Sequence, residues 1–293
     1  MRKKDEMGVT SMSVDSLQEK IRKVKNPSVL TLEAFADWLP PEYAGAEGFK
    51  TYYRALLAGL KGLVSAVRFG FGSFALLGGA GLETLADLTA EARMHGYYVL
   101  LDAPELPSPQ AAENLAAVLG GKDWIWDGLV ICPWLGSDVI KPFLPLCKNG
   151  KALFCAVRTG NRSAAELQDL LSGSRLVHTA AADIVSRLGE QAMGKLGYAN
   201  LADMASAGSA DSLKNLRAKY PRLFLLVDGY DYSFGNSKNC AQAFDKLGRG
   251  AAVCAGSSLV AAWKENGEAS PADAAVEAAQ KMKRNLTRYI TVL

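Results

Sequence analysis

The sequence predicts a single-domain TIM barrel, the (β/α)8 class of α/β fold, and three observations lead to it. Eight short apolar runs alternate with helical patterns along the 293 residues, which is the order of parallel βαβ units. The length suits one barrel of this class. No Gly-x-Gly-x-x-Gly follows the first run, which weighs against the rival fold, a doubly wound open sheet.

The predicted strands are short, and most of them are rich in β-branched and large apolar residues. The sixth has no β-branched residue and is the weakest of the eight. The eight predicted strands cover residues 28–33, 63–71, 96–102, 128–132, 151–157, 201–206, 223–228 and 250–255.

Helices between the strands are marked by leucine spacing and by capping residues. Segment 163–171 opens with Ser163 and Glu166 at the spacing of a capping box. The terminal segment 271–289 is alanine-rich and amphipathic, and Ser270 is its predicted cap. Leucine spacing predicts two further helices, at 81–88 and 209–219.

The composition limits which domain organisation and which binding partners we expect. We expect residues 1–13 to be a polar tail and residues 14–293 to form the barrel domain with its C-terminal helix. The net charge is only +3, and no Lys/Arg block is interleaved with aromatic residues, so we expect no nucleic-acid partner. No run of about 18 apolar residues exists, so we expect no membrane span.

The numbers of cysteine and histidine residues indicate which cellular compartment and which cofactors we expect. Five cysteines, an odd number without Cys-x-x-Cys spacing, indicate the reducing cytoplasm. The two histidines are too few to indicate a zinc site. We therefore expect a cytoplasmic protein with neither a metal nor a cofactor.

Charged residues stand at the carboxyl ends of the predicted strands, where a TIM barrel carries its chemistry. Glu33, Arg68 and Asp102 end the first three strands, which are neighbours, so we expect them to form an acid–base–acid network. Such a network can be catalytic, or it can be a salt-bridge cluster that ties strand ends together; both interpretations stay open. The full set of ends, without the sixth strand, is Glu33, Arg68, Asp102, Pro133, Arg158, Asp228 and Ser257.

The loops after strands seven and eight are where many barrels hold a phosphate. The residues that could offer backbone N–H groups or hydroxyls to an anion there are Gly229, Gly256, Ser257 and Ser258. Asp228 and Asp231 oppose an anion, and no suitably placed arginine offers bidentate contacts. Weak phosphate binding and a ligand-free helix N-cap therefore stay equally open.

Three local motifs resemble the orotidine 5'-phosphate decarboxylase family in its type 2 bacterial branch. Residues 25–29 (Lys-Asn-Pro-Ser-Val) are similar to its opening strand, and residues 127–138 to its fourth strand and following loop. Residues 157–170 are the closest match, because they follow a VRTSNPSAAELQDL-like pattern with Gly160 and Arg162 in place of Ser and Pro. The similarity runs from about residue 16 to residue 263.

The resemblance implies a TIM barrel, a homodimer and a nucleotide or other phosphorylated small molecule as ligand. It also implies conversion of orotidine 5'-phosphate to uridine 5'-phosphate in pyrimidine biosynthesis. Within the closest motif, Thr159 and Asn161 are the implied substrate contacts.

The sequence departs from the family at the positions that the family's reaction uses. These are a Lys at the end of strand two and an Asp-x-Lys-x-x-Asp motif after strand three, whose second Asp reaches into the partner subunit's site. The corresponding residues here are Glu33 for an Asp of the first strand, Arg68 for the first Lys, Asp102 for the retained Asp, Pro104 for the central Lys, Pro107 for the second Asp and Leu259 for a phosphate-binding Arg.

These departures affect the chemistry directly. Loss of carbon dioxide from the pyrimidine leaves a ring carbanion without an adjacent electron sink, so an ammonium must stabilise it and then protonate it. Pro104 carries neither a charge nor a transferable proton, and an arginine holds its proton too tightly. We therefore predict that decarboxylation is absent or severely impaired and that the chain is a non-catalytic binding paralogue.

Two alternatives remain open. One is an active lyase in which Arg68, Asp102 and Glu33 have new roles; the other is a different barrel enzyme that uses Glu33 and Asp102 as acid and base. The non-catalytic hypothesis predicts that Arg68 is locked between Glu33 and Asp102. It also predicts a barrel mouth narrowed by three aromatic residues, Tyr230, Tyr232 and Phe234.

Overall fold

Eight parallel strands close into a barrel in the computed structural model, which describes residues 13–103, 105–120, 126–231, 235–265 and 270–291. The TIM-barrel prediction is confirmed. Around the barrel the strands follow one another in the order β1-β8-β7-β6-β5-β4-β3-β2. They are β1 (Ser28–Leu32), β2 (Ala66–Gly70), β3 (Tyr98–Asp102), β4 (Gly128–Ile131), β5 (Ala152–Arg158), β6 (Leu201–Ser206), β7 (Leu225–Asp228) and β8 (Ala251–Ala255).

Helices surround the barrel, and the longest of them, α2, α4 and α12, pack side by side. Each predicted strand is present, including the weak sixth. The helices in the described ranges are α1 (Val14–Val24), α2 (Gly45–Gly59), α3 (Phe71–Ala75), α4 (Gly78–Met94), α5 (Pro109–Leu119), α6 (Leu144–Lys148), α7 (Ala165–Gln168), α8 (Val177–Gly189), α9 (Ala210–Lys219), α10 (Ser237–Ala241), α11 (Ser257–Val260) and α12 (Pro271–Thr287).

Helix α1 closes the amino-terminal end of the barrel. Its residues Val14, Leu17 and Ile21 are fully buried among the inward-facing side chains of the strands. Gln18 Oε1 accepts a hydrogen bond from Gly250 N at 2.8 Å, just ahead of β8. With this end covered by an amphipathic helix, the carboxyl ends of the strands form the open mouth.

The predicted cap of α12 is confirmed, and α9 begins with a cap of the same kind. Ser209 Oγ accepts from Ser212 N at the start of α9, and Ser270 Oγ accepts from Asp273 N at the start of α12, both at 3.2 Å. Such side-chain oxygens satisfy N–H groups that the first helical turn leaves without a partner.

The helix predicted over 163–171 is largely wrong. A short 3-10 turn (Arg162–Ala164) leads into the four-residue α7, and Ser163 caps neither. The chain then forms a small antiparallel pair, Leu171–Ser172 with Arg175–Leu176. Gly173, with φ 66°, makes the turn of that pair, and a residue in this left-handed conformation cannot continue a helix.

Only Ser13 of the predicted tail, residues 1–13, lies among the described residues, so the tail stays a prediction. None of the described helices is long and apolar enough to cross a membrane.

Asp203 on β6 is an unusual feature of the layer between barrel and helices. Its side chain is fully buried beside Cys155 of β5, and neither of its oxygens has a hydrogen-bond partner among the described residues. Burial raises the pKa of this carboxyl well above its usual value, although the charge of Arg217 opposes the rise. The folded protein therefore favours a neutral Asp203.

We predict that Asp203→Asn stabilises the protein at pH 7 by about 1–3 kcal/mol. Below pH ~4, the usual pKa of an unfolded Asp, the carboxyl is protonated in both states and the wild type is not penalised. As the pH rises toward the raised pKa of the folded state, the unfolded state alone ionises and wild-type stability falls. Urea unfolding of both proteins between pH 4 and pH 7 measures this difference, with the exposed Asp138→Asn as control. A gain that does not grow with pH would contradict the prediction.

Candidate functional site

Arg68 lies at the centre of the barrel mouth, held by two aspartates. Its Nε and Nη2 donate to the two oxygens of Asp102 at 2.8 and 2.6 Å, and its Nη1 donates to Asp228 Oδ1 at 2.9 Å. The side chain of Arg68 is only 9% exposed. Burial opposes its charge, but Asp102 and Asp228 outweigh burial and raise the pKa of the guanidinium well above its usual value. Arg68 is therefore a permanently charged group with every side-chain nitrogen engaged.

The predicted network of Glu33, Arg68 and Asp102 is correct in one of its two contacts. Arg68 binds Asp102 from the neighbouring strand, but no hydrogen bond or ion pair joins it to Glu33 within the described part of the chain; its second partner is Asp228 of β7. Arg68 lies on the inward face of β2 and reaches across the barrel. The Glu33 carboxyl instead lies against Gly70, where an added Cβ would come within 1.9 Å of Glu33 Oε2.

Glu33 is a half-buried acid just beyond the end of β1. Burial raises the pKa of its carboxyl, and the carboxylates of Asp102 and Asp228 add to the rise, while a hydrogen bond with Ser73 and the charge of Arg68 oppose it. The following residue, Ala34, is fixed by its N–H, which donates to Ser73 Oγ at 2.9 Å. The site thus contains a carboxyl that is protonated more readily than an ordinary glutamic acid.

Asp231 accepts hydrogen bonds from backbone N–H groups that were predicted from the sequence to bind an anion. Its Oδ2 accepts from Gly256 N at 2.5 Å and its Oδ1 from Ser258 N at 3.2 Å. Burial raises the pKa of Asp231, while these hydrogen bonds work against that rise. A carboxylate of the chain itself thus takes the hydrogen bonds at the start of α11 that a phosphate would need.

Trp38 covers the same backbone from the other side. A Cβ added to Gly256 would lie 2.6 Å from Cη2 of the Trp38 ring, so the ring packs directly on the glycine. The backbone of Trp38 is tied to the turn after α11, because Trp263 Nε1 donates to its carbonyl at 2.9 Å. Gly256 is therefore enclosed between an indole ring and a carboxylate.

A cavity of about 350 Å³ occupies the mouth, and several predicted site residues line it. Its described lining consists of Thr31, Glu33, Phe35, Trp38, Arg68, Asp228, Gly229, Asp231, Cys254, Gly256 and Ser257. Gly229 has φ 81° and turns the chain sharply after β7. Ser258 lies outside this cavity and is exposed.

Thr159 and Asn161 lie elsewhere, in the loop that follows β5. They line a separate cavity of about 160 Å³, on the side of the barrel opposite β1. Thr159 Oγ1 donates to Asn161 Oδ1 at 2.7 Å and accepts from Gln168 Nε2 at 2.8 Å. The structure does not bring this predicted pair together with the residues of the mouth cavity.

A larger groove of about 550 Å³ runs between α11 and α12. It is lined by Tyr230 together with residues of both helices, and it lies away from Arg68 and Glu33. Tyr230 therefore lines this groove rather than the mouth cavity. The predicted narrowing by Tyr232 and Phe234 falls outside the described residues.

Three further positions at which the sequence departs from the family are Pro104, Pro107 and Leu259. Pro107 lies in an exposed loop, and Pro104 is outside the described residues. Leu259 is buried in the core with 1% exposure, so no side chain from that position reaches the mouth.

Sequence reasoning missed Thr31, Phe35 and Trp38 as lining residues. Thr31 is a polar residue at an inward position between apolar residues of β1, and that pattern could have revealed it. Phe35 and Trp38 come from the β1–α2 loop, and nothing in the local sequence indicates that this loop folds over the mouth.

Comparison with known proteins supports the resemblance found in the sequence. The chain is 27% identical over 226 residues to the orotidine 5'-phosphate decarboxylase of Rhodopirellula baltica, covering 75% of each chain. It is 26% identical over 262 residues to that of Clostridium perfringens, covering 86% of this chain and 90% of the other. No protein-family model matches the chain.

Solved structures share the fold. A Streptomyces avermitilis protein provisionally assigned as an orotidine 5'-phosphate decarboxylase superposes with a TM-score of 0.80 at 18% identity, covering 99% of both chains. The Leishmania donovani decarboxylase gives a TM-score of 0.73 at 20% identity over 93% of this chain and 97% of the other. At such identities the structural likeness establishes the barrel alone.

Proposed function

We propose that this chain, a homologue of the bacterial orotidine 5'-phosphate decarboxylases, is a non-decarboxylating binding protein that has kept the barrel and lost the reaction. One observation carries the proposal: Arg68, with all its nitrogens held by Asp102 and Asp228, is the only cationic side chain among the described residues that line the mouth cavity.

Decarboxylation needs a group that first stabilises a carbanion and then gives it a proton. Arg68 cannot give the proton, because its two carboxylate partners raise its pKa. Its hydrogen-bond donors are also committed, so stabilising a new anion would require breaking charge-assisted bonds to Asp102 or Asp228. The arrangement favours the salt-bridge interpretation of these strand ends over the catalytic one.

The phosphate side of the mouth supports the same proposal. Asp231 already accepts from Gly256 N and Ser258 N, and its charge would repel a phosphate placed there. The sequence left two alternatives open, weak phosphate binding and a helix N-cap without a ligand. The geometry favours the helix N-cap without a ligand. A nucleotide would therefore lose its usual anchor.

Calorimetric titration with uridine 5'-phosphate tests this proposal. We expect no binding by the wild type below about 1 mM. Asp231→Ala should free two N–H donors and remove a like charge, so we expect at least roughly tenfold tighter binding, given about 1.5–3 kcal/mol per hydrogen bond to a charged group. The exposed Asp211→Ala, in the first turn of α9, is the control. Micromolar binding of the nucleotide by the wild type would refute the proposed loss of the phosphate anchor.

A second candidate function is acid–base catalysis on a different substrate. The raised pKa of Glu33 beside an open cavity favours it, because a catalytic acid must hold its proton near the working pH. Carbon-13 NMR titration of the Glu33 carboxyl tests its first requirement. An ordinary titration near pH 4.3 would remove this candidate.

By resemblance to the decarboxylases we also propose a cytoplasmic homodimer. In that family the second Asp of the motif completes the partner's site; here Pro107 has no charge to contribute. A dimer would therefore form without Pro107 completing the partner's site. Analytical ultracentrifugation measures whether the dimer forms.

A further inference from the structure

Negative charge exceeds positive charge in the mouth cavity. Among the described lining residues, Glu33, Asp228 and Asp231 carry carboxyl groups and Arg68 carries the one guanidinium. Arg68 is shared between Asp228 and Asp102, which lies just outside the cavity lining. The cavity therefore suits a cation better than an anion.

Thr31 supplies an independent observation that points to a ligand. Its side chain lines the cavity and the residue is 6% exposed, yet Oγ1 has no hydrogen-bond partner among the described residues. Thr31 is paired in register with Arg68, so its side chain lies on the inward face of the barrel beside Arg68, one inward-facing position before Glu33. A buried hydroxyl without a partner is unfavourable, and a ligand that donates to it would remove that penalty.

Two aromatic rings form the remaining wall. Phe35 and Trp38 pack edge to face with centroids 5.1 Å apart, and Trp38 is fixed over Gly256. Aromatic faces attract cations and also offer apolar area to an organic body. The described residues contain no cluster of three metal-ligating side chains, so the lining favours an organic cation over a metal ion.

We propose that the mouth cavity binds a small protonated primary amine with an apolar body. The ammonium has three N–H donors and no acceptor; it donates to Thr31 Oγ1 and to the carboxylates of Glu33 and Asp228, while the body lies against Phe35 and Trp38. This inference deepens the proposed binding function and rests on it.

The test uses 2-phenylethylamine as probe and 2-phenylethanol as its uncharged match, titrated by calorimetry into the full chain. We expect the amine to bind and the alcohol to bind at least roughly tenfold more weakly, because the alcohol lacks the charge. Thr31→Val, which replaces the hydroxyl by a methyl group, should weaken amine binding about 2–10-fold. Glu33→Gln should weaken it at least about tenfold, and Glu83→Gln, at an exposed position of α4, should leave it unchanged.

Each outcome separates this inference from the proposed function. Failure of both the amine and uridine 5'-phosphate to bind would overturn the amine site and leave the loss of phosphate binding standing. Equal binding of amine and alcohol, or insensitivity to both Thr31→Val and Glu33→Gln, would also overturn it. Tight binding of uridine 5'-phosphate that the amine does not displace would overturn both the amine site and the proposed loss of phosphate binding. Circular dichroism of each variant confirms that a weakened signal does not arise from unfolding.

Discussion

Orotidine 5'-phosphate mixed with the purified protein is expected to keep its carboxylate, and its ultraviolet absorbance should change no faster than in buffer. A missing proton donor reduces the rate of an enzyme by ~10²–10⁴-fold, and each lost charge-stabilising donor by a further ~10²–10³-fold. Pro104 supplies neither function, and Arg68 is engaged by Asp102 and Asp228. Together these losses predict a rate ~10⁴–10⁷-fold below that of an active relative.

The matched control is the Rhodopirellula baltica relative at the same concentration, assayed in parallel. Complementation of a uracil-requiring strain gives a second readout, because it detects rates too slow for the absorbance assay. Turnover within about a hundredfold of the relative, or growth of the complemented strain, would show that another group performs the chemistry. In that case the lyase alternative, with Arg68, Asp102 and Glu33 in new roles, would become the better hypothesis.

The barrel could be predicted because burial on both faces of a parallel strand leaves a continuous apolar run in the sequence. Even the weak β6 is found where expected, although its buried Asp203 interrupts that pattern. The helix over 163–171 could not be predicted from local spacing. There, tertiary contacts dominate: Arg158 of β5 binds Asp169 through two hydrogen bonds of 2.9 and 2.8 Å, and Gln168 is bonded to Thr159.

The site was only partly predictable for a similar reason. Contact between Arg68 and Asp102 follows from the adjacency of β2 and β3. The contact with Asp228 depends on the direction in which a long side chain crosses the barrel. The position of Asp231 depends on how the loop after β7 folds back onto α11. Strand order can be inferred from sequence, whereas these directions are set by packing in the completed barrel.

The predicted loss of reaction and the charge of the mouth have a common origin. The decarboxylases that this sequence resembles carry a Lys at the end of strand two and an Asp-x-Lys-x-x-Asp motif after strand three. Here the central lysine is absent, and Asp228 helps to neutralise Arg68 while Asp231 fills the amides. Carboxylates of the chain thus contact both the guanidinium and the amides, and carboxyl groups outnumber cations in the described cavity lining.

Arg68→Met is expected to destabilise the protein by about 3–5 kcal/mol at pH 7, because it leaves Asp102 and Asp228 facing each other without a cation in a nearly buried site. Urea unfolding followed by circular dichroism measures the loss. The control is Arg54→Met: Arg54 Nε lies 2.7 Å from Glu91, but its side chain is 48% exposed, so we expect a loss below about 1 kcal/mol.

The same logic predicts that removing the two charges restores stability. Arg68→Met combined with Asp102→Asn and Asp228→Asn should recover most of the loss, because replacing all members of a buried ion cluster by neutral groups is far less harmful than removing one. Should the triple variant be less stable than Arg68→Met alone, the residues would act mainly through packing. Full recovery in the triple variant would show that Arg68 stabilises the fold by neutralising the two carboxylates beside it.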